Sequence, residues 1–233
     1  MKTIKRTVFW PALFLVILWL IEWYAETGHS RWISLGIYPR TVEGLTGIFT
    51  APFIHGGLDH LLSNSLPLLI VGTGLFYFYH QIAFRVIGLI WFLTGFWVWL
   101  AARQVTHIGA SGLIYGFVCF LFFSGLIRKD TRLAAVSMLV AFVYGSMVWG
   151  ILPVDQAISW ESHLLGAFAG VFTAIAFRKY GPPRQKAQWE IEEEMEAANP
   201  SSNEETDVSP DIQIHYDYIE KNQADPASQD EEK

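Results

Sequence analysis

Six stretches of this sequence are apolar over about the length that a helix needs to cross a lipid bilayer, roughly 20 residues. They lie at residues 8–25, 58–79, 82–102, 111–127, 133–152 and 160–177. Of the whole chain, 52% is hydrophobic and the mean hydropathy is +0.30, above what a soluble domain usually shows. The sequence therefore predicts an all-α polytopic membrane protein with a bundle of six transmembrane helices.

The charged residues are divided unequally along the chain. Of the 22 acidic residues, 15 lie between Glu190 and Glu232, whereas bases outnumber acids before them. Lys and Arg in short loops mark the inner side of a membrane protein. With the N-terminus inside, the inner side collects Lys2, Lys5, Arg6, Arg85, Arg128, Lys129, Arg132, Arg178, Lys179, Arg184 and Lys186, and the outer side keeps only Arg31, Arg40 and Arg103. Both termini are therefore predicted to be cytoplasmic, and no basic stripe interleaved with aromatic residues indicates nucleic-acid binding.

The ends of the chain differ from its apolar middle. Residues 1–7 form a basic N-terminus, and the apolar segment that follows lacks the small-x-small cleavage site of a secretory signal, so we expect it to be retained. Residues 181–233 are acidic and polar and cannot bury a core, which predicts a disordered cytoplasmic tail with one or two helical turns around 189–198. The core is expected at residues 8–180, with a long loop at 26–57 that folds onto the outer leaflet.

Two polar residues lie in apolar segments, where a hydroxyl and an imidazole cost free energy and so need a chemical explanation. Ser111 begins the fourth segment, and His163 lies in the sixth. A helix over residues 111–126 spans about 24 Å, short of a hydrocarbon core roughly 30 Å thick, so Ser111 is expected below the outer surface under a water-filled pocket. Unpaired N–H groups at the helix start would stabilise an oxyanion there. The alternative is a serine that only caps its helix.

Small residues recur on the two segments that carry Ser111 and His163. Gly112 and Gly116 form one Gly-x-x-x-Gly pair, and Gly166 and Gly170 form another. Such faces let membrane helices approach closely. His163 precedes Gly166 by three residues and therefore lies on the glycine face of its helix. If the two glycine faces meet, His163 meets Ser111; the alternative is a histidine that serves only as an interhelical hydrogen-bond partner.

A third polar group lies at the start of the second segment. His60 and Asn64 are four residues apart on one helical face, and both can donate hydrogen bonds. Donors aimed at a common point could complete an oxyanion site beside the serine. The alternative makes His55, His60 and His107 metal ligands, although their spacing matches no usual site and the sequence has no His-Glu-x-x-His motif.

Together these residues resemble the rhomboid intramembrane serine proteases. The resemblance rests on His55…His60-x-x-x-Asn64, Gly109-x-Ser111-Gly112-x-x-Tyr115-Gly116 and His163-x-x-Gly166-x-x-x-Gly170, on the second, fourth and sixth segments. It implies that Ser111 is the nucleophile and His163 the general base. It also implies that His60, Asn64 and the Ser111 backbone N–H form an oxyanion hole and that Tyr115 stacks on His163. No third catalytic acid and no metal or organic cofactor are implied, and we expect Asp155 and Glu161 to be loop charges.

The resemblance predicts an enzyme that hydrolyses peptide bonds in or next to the transmembrane helices of other membrane proteins. Its partners would be those substrates and the lipid bilayer, and its location a bacterial-type plasma membrane. The sequence departs from the family at residues 45–50, where many members carry a Trp-Arg pair. Two other interpretations are a non-catalytic rhomboid-like protein that binds client helices, which would need no nucleophile, and a six-helix transporter, which would need ionisable residues along a central path. The sequence names no substrate and no oligomeric state.

Overall fold

The computed structural model describes residues 2–28, 32–143, 149–154, 158–182 and 188–198. The chain divides into two units, residues 1–185 and residues 186–233. The helices of the first unit are α1 (Lys2–Glu26), α2 (Gly47–Thr50), α3 (Leu58–Phe78), α4 (Ala83–Ala101), α5 (Ser111–Arg128), α6 (Thr131–Val143) and α7 (Trp160–Ala176). Short 3₁₀ turns lie at Ile33–Leu35, Glu43–Leu45 and Ala51–Phe53. Within the described ranges there is no strand, and only an isolated bridge pairs Ile37 with His107.

Four helices of the described chain are long and apolar enough to cross a membrane. They are the Thr7–Glu26 part of α1, and α3, α4 and α5. Two further predicted segments overlap with α6, of 13 residues, and α7, of 17 residues. The all-α class with membrane-length helices is therefore confirmed, while six crossings stay a prediction.

The fifth apolar segment is described only in part. The sequence predicts one helix over residues 133–152; the structure has α6 over 13 residues to Val143, helical residues again at 149–150, and turns and bends at 151–154. Residues 144–148 of this segment lie outside the described ranges. The helix begins early because the Asp130 carboxylate accepts a hydrogen bond from the Arg132 N–H at 3.1 Å, which satisfies one of the free donors at a helix start.

α5 is the central helix of the first unit. It packs against α3, α4, α6 and α7, and most of its apolar side chains, among them Phe117, Phe120 and Leu121, are buried, whereas Leu126 and Ile127 at its end are exposed. A helix that is apolar around its whole circumference can be accommodated only in such a position. Ser111 therefore stands at the end of the most enclosed element of the bundle.

The glycine faces of α5 and α7 meet. A Cβ atom on Gly166 would overlap the carbonyl oxygen of Gly112, and one on Gly170 would overlap that of Gly116. Only hydrogen at these positions allows the two backbones to touch, as the Gly-x-x-x-Gly pattern predicts. This contact brings the α7 residue three positions before Gly166 to the start of α5.

The segment between α1 and α3 is attached to α4 by side chains that bind its backbone carbonyls. The indole N–H groups of Trp91 and Trp99 donate to Ile48 and Thr41 at 3.0 and 2.8 Å. In the other direction, Arg40 donates to the carbonyl of Ala102 at 2.8 Å. Residues 40–48 of the long loop predicted at 26–57 thus pack on protein; the loop's contact with the outer leaflet stays a prediction, and Arg31 lies outside the described residues.

At the end opposite Ser111, the α5–α7 pair is joined by one arginine. Arg128, at the end of α5, donates to the carbonyls of Arg178 at 3.2 Å and Tyr180 at 2.9 Å, and also to that of Pro182. These carbonyls follow α7, where the helix no longer satisfies them. We call the two ends of the pair the Ser111 end and the Arg128 end.

The second unit contains α8 (Gln188–Ala198), a polar helix of 11 residues that begins near the short helix predicted inside the tail. Residues 199–233, and with them most of the predicted disordered stretch, lie outside the described ranges.

Candidate active site

Ser111 occupies the first position of α5, and its side chain is buried, with 9% exposed. The preceding turn requires glycine at position 109, where φ is +104°. The Gly109 N–H donates to the carbonyl of Ala51 at 2.9 Å, and a Cβ there would lie 2.9 Å from the His60 ring. This turn fixes where the Ser111 hydroxyl and the free N–H groups of the helix start are presented.

His163 and Ser111 are in direct contact, although 52 residues separate them in the sequence. The Ser111 hydroxyl donates to His163 Nε2 at 2.8 Å. On the other side of the ring, Nδ1–H donates to the Gly150 carbonyl at 2.8 Å. Because a carbonyl can only accept, this bond fixes the proton on Nδ1 and leaves the Nε2 lone pair for the serine.

Tyr115 lies flat against the imidazole of His163. The ring centroids are 4.3 Å apart and the planes differ by 10°. Gly150 lies against both rings, since a Cβ there would overlap the Tyr115 hydroxyl and lie 3.2 Å from His163 Nδ1. The imidazole is therefore held by a hydrogen bond at each nitrogen and by a ring on its face.

His60 and Asn64 present donors toward the Gly109 turn. His60 Nδ1 accepts from the Gly56 N–H at 3.3 Å, so the ring proton is on Nε2, which together with Cε1 lies 2.9 Å from the place of a Cβ on Gly109. Among the described residues, the buried Asn64 Nδ2 has no hydrogen-bond partner. A buried donor without a partner is costly and needs an explanation, and an acceptor brought by a ligand supplies one.

The two remaining histidines of the metal alternative have different neighbours. His55 packs edge-on against His60 at 5.1 Å, and its Nε2 faces the Ala110 N–H at 3.5 Å. Burial, and after it the neighbouring His60, lower the pKa of His55 from 6.5 to about 4. Burial likewise lowers the pKa of His107, whose ring forms a hydrogen bond with the Ser159 hydroxyl. Within the described part of the chain, no group of three metal-ligating side chains is arranged around a common point.

A cavity of about 660 Å³ opens next to the contact between Ser111 and His163. Its wall includes both of these residues, the donors His60 and Asn64, and Tyr115. The water-filled pocket predicted above Ser111 therefore has a counterpart that is wide enough for a peptide backbone and several water molecules.

Residues 42–180, three-fifths of the chain, match the Rhomboid domain family. The chain belongs to the rhomboid family. Rhomboids are in general intramembrane serine proteases, and the family together with the long apolar helices makes this chain an integral membrane protein. The rhomboid match includes α3 to α7 and all the candidate residues discussed above.

This rhomboid has relatives in bacteria and in a plant. It is 35% identical over 189 residues to an uncharacterised protein of Mycobacterium tuberculosis, covering 75% of this chain and 75% of the relative. It is 32% identical over 176 residues to an uncharacterised protein of Mycobacterium leprae, covering 69% and 67%. The RHOMBOID-like protein 1 of Arabidopsis thaliana is 30% identical over 139 residues, covering 56% of this chain and 34% of that protein.

Two features of the rhomboid site could not be seen in the sequence. The first is Gly150, which acts through its backbone carbonyl, and a carbonyl is common to every residue type. The second is Glu161, expected as a loop charge, which lies in the first turn of α7, is 5% exposed and pairs with Arg103 at 3.1 Å. That expectation was wrong because the partner comes from another loop, 58 residues away. Asp155 lies outside the described residues.

Proposed function

We propose that this rhomboid is a serine endopeptidase that hydrolyses peptide bonds in or beside the transmembrane helices of other membrane proteins. The observation that carries the proposal is the 2.8 Å contact between Ser111 Oγ and His163 Nε2, with the opposite ring nitrogen bound to the Gly150 carbonyl. This contact supports the roles of Ser111 as nucleophile and His163 as its general base.

In the acylation step, His163 Nε2 takes the hydroxyl proton while Ser111 Oγ bonds to the scissile carbonyl carbon. The imidazolium is stabilised by the Gly150 carbonyl, which accepts from Nδ1–H. It then gives its proton to the leaving nitrogen as the C–N bond breaks, and an ester remains on Ser111. In the second step, His163 takes a proton from water, the hydroxide adds to the ester, and Ser111 leaves and is protonated again.

The oxyanion of each tetrahedral intermediate would accept hydrogen bonds from the Ser111 N–H, His60 and Asn64. This role is supported by the Nε2 proton of His60 and by the unpartnered Asn64 amide on the wall of the cavity. Donors that are fixed before reaction stabilise the developing charge at little reorganisation cost. Tyr115 would hold the imidazole plane, and no metal or organic cofactor enters either step.

The orientation and the substrate belong to the same proposal. We expect a multi-pass protein with six crossings at residues 8–180, an inner N-terminus at 1–7 and an inner tail at 181–233, in a bacterial-type plasma membrane. The supporting observation is the excess of Lys and Arg on one side of the apolar segments. With Ser111 near the outer face, suitable substrates are transmembrane helices that unwind easily there, because a helix must open before its carbonyl can be attacked. Nucleic acid is not expected as a partner.

The test uses the full chain in liposomes with a panel of single-pass membrane proteins as substrates. Mass spectrometry of the products gives the cleavage site, and Ser111→Ala and His163→Ala are assayed alongside. Ser137→Ala is the matched control, since Ser137 is another buried serine, and its hydroxyl donates to the Leu133 carbonyl within α6. We expect cleavage by the wild type and the control and none by the two site variants. Equal cleavage by Ser111→Ala would overturn the proposal and favour a binding function.

A further inference from the structure

His107 is a buried residue to which the proposed mechanism gives no part. It is 1% exposed and lies in the loop between α4 and α5, four residues before Ser111. Its Nε2 is 3.0 Å from the Arg103 carbonyl, and its Nδ1 is 2.6 Å from Ser159 Oγ, 52 residues away at the start of α7. Both ring nitrogens are therefore used, and one of them links this loop to the helix that carries His163.

Only one assignment of donors and acceptors fits the hydrogen bonds around His107. Since the Arg103 carbonyl can only accept, the ring proton is on Nε2 and Nδ1 is an acceptor. The Ser159 hydroxyl must then donate to Nδ1, and it in turn accepts from the Ser162 hydroxyl at 2.6 Å. A side chain at position 107 without an acceptor facing Ser159 would break this sequence of bonds.

Arg103 ties the same loop to the same helix a second time. It donates to the Ile158 carbonyl at 2.9 Å, just before α7, and pairs with the buried Glu161 in its first turn at 3.1 Å. The loop itself is fixed, because the backbone of His107 exchanges two hydrogen bonds of 2.9 Å with Ile37. We call Arg103, His107, Ser159 and Glu161 the loop clasp.

In both chain segments, a residue of the loop clasp lies four residues before Ser111 or His163. His107 precedes Ser111 by four residues, and Ser159 precedes His163 by four, with the Ser159 carbonyl accepting from the His163 N–H at 3.3 Å. A Cβ on Gly112 would lie 3.1 Å from the Ser162 carbonyl oxygen, so the start of α7 already touches the start of α5. Any shift of Ser159 relative to His107 is therefore carried to the bond between Ser111 and His163.

We infer that His107 is a positioning residue, which, through its bond to Ser159, sets the start of α7 so that His163 reaches Ser111. This inference rests on the proposed protease function, because it assigns a role in the same reaction. Misplacing a reacting group by about 1 Å can cost on the order of 100-fold in rate, so losing the bond is expected to lower kcat by about 10- to 100-fold. His107 also lines the cavity, but it is only 1% exposed and offers a substrate little surface, so KM should stay within about twofold.

Two substitutions separate the bonds that His107 makes. In His107→Asn, the side-chain oxygen can take the place of Nδ1 and still accept from Ser159. In His107→Gln, the side-chain NH₂ can take the place of Nε2 and donate to the Arg103 carbonyl, but the acceptor for Ser159 is lost. The Asn variant should keep kcat within about threefold of the wild type, whereas the Gln variant should show the large loss. The control is His80→Gln, at an exposed histidine in the turn between α3 and α4.

The experiment measures kcat, KM and the melting temperature of these variants in liposomes, with wild type and Ser111→Ala as references. Ser159→Ala removes the same bond from the other side, so it should reproduce the kcat loss, and combining it with His107→Gln should add little. It also carries the test if His107→Gln does not fold. The inference would be overturned by an unchanged kcat in His107→Gln and Ser159→Ala. It would also be overturned if His107→Asn and His107→Gln lost kcat equally and in proportion to a fall in their melting temperatures. An inactive wild type, or an active Ser111→Ala, would instead show that the protease proposal itself has failed.

Discussion

An arginine joins the helices at each end of the α5–α7 pair, but the Ser111 end also borders a cavity. At each end an arginine reaches backbone carbonyls next to α7: Arg103 binds Ile158, and Arg128 binds Arg178 and Tyr180. At the Arg128 end this completes the contact. At the Ser111 end a cavity of about 660 Å³ remains, with the Asn64 amide on its wall. Helix packing and chemistry are thus assigned to different groups, since glycines and arginines join the helices while the serine, the histidine and the amide face the cavity.

The largest effect is expected from replacing a side chain that faces the cavity at the Ser111 end. In Asn64→Ala, the rate of substrate cleavage should fall by about 100-fold, because one donor to the oxyanion is lost. The melting temperature should fall little, since the amide nitrogen has no partner among the described residues. A variant that melts much earlier but cleaves at the wild-type rate would show that Asn64 is structural.

A smaller effect is expected where α5 and α7 touch. Gly166→Ala places a methyl group against the Gly112 carbonyl, and such overpacking should cost about 1–3 kcal/mol in the free energy of unfolding. Cleavage should also fall, because His163 lies one turn away. The control is Gly88→Ala in α4, where a Cβ meets nothing within 4 Å, and it should be neutral or slightly stabilising. Denaturant titration of both variants checks this, and equal stabilities would contradict the close contact.

At the Arg128 end, only stability should respond. Arg128→Gln removes hydrogen bonds from a charged donor to carbonyls at a partly exposed site, which should lower the free energy of unfolding by about 1 kcal/mol. Well below the melting temperature, kcat and KM should equal those of the wild type. A large loss of kcat without a loss of stability would mean that the two ends do not differ as described.

The smallest effect near neutral pH is a difference in how acid changes the stability that each end contributes. At the Ser111 end the pKa of His55 is lowered to about 4 and that of His107 is lowered too, so the unfolded chain binds these protons first as the pH falls below 6.5. Stability from this end should decrease between pH 6.5 and about 4. At the Arg128 end, hydrogen bonding to Arg132 lowers the pKa of Asp130 below 3.8, so its contribution is lost only in stronger acid.

Melting temperatures between pH 7 and pH 4 measure this difference. In His55→Asn, the new side chain cannot be protonated, so the melting temperature should fall less steeply with pH in the upper part of that range. A wild-type melting temperature that is constant from pH 7 to pH 4.5 would contradict it.

Much of the helical framework could be predicted because apolar length and glycine spacing are local properties of the sequence. The bounds of α3, α4, α5 and α7 agree with the predicted segments within about two residues, which is the usual error of such boundaries. The spacing of Gly112, Gly116, Gly166 and Gly170 predicted the contact of α5 with α7. The predicted helix at 133–152 agrees with helical residues 133–143 and 149–150, differs at 151–152, where the chain turns, and is untested at 144–148, outside the described residues.

The site was predictable to the extent that its groups carry rare side chains in apolar surroundings. Ser111 and His163 stand out for that reason, and the structure has them in hydrogen-bonding contact. The Gly150 carbonyl gives no sequence signal, and the partners of His107 and Glu161 depend on which loops the fold brings together. In the sequence, His107 suggested only a metal ligand; its bond to Ser159 became visible with the fold.

The most direct test of the account is covalent labelling of the full chain in liposomes with a fluorophosphonate, followed by mass spectrometry of the modified residue. An activated serine displaces fluoride and keeps the phosphonyl group, and activation of Ser111 needs the Nε2 lone pair of His163. We expect a label on Ser111 in the wild type and in Ser137→Ala, and none on Ser111 in His163→Ala. A label on another residue, or equal labelling of Ser111 in His163→Ala, would contradict it.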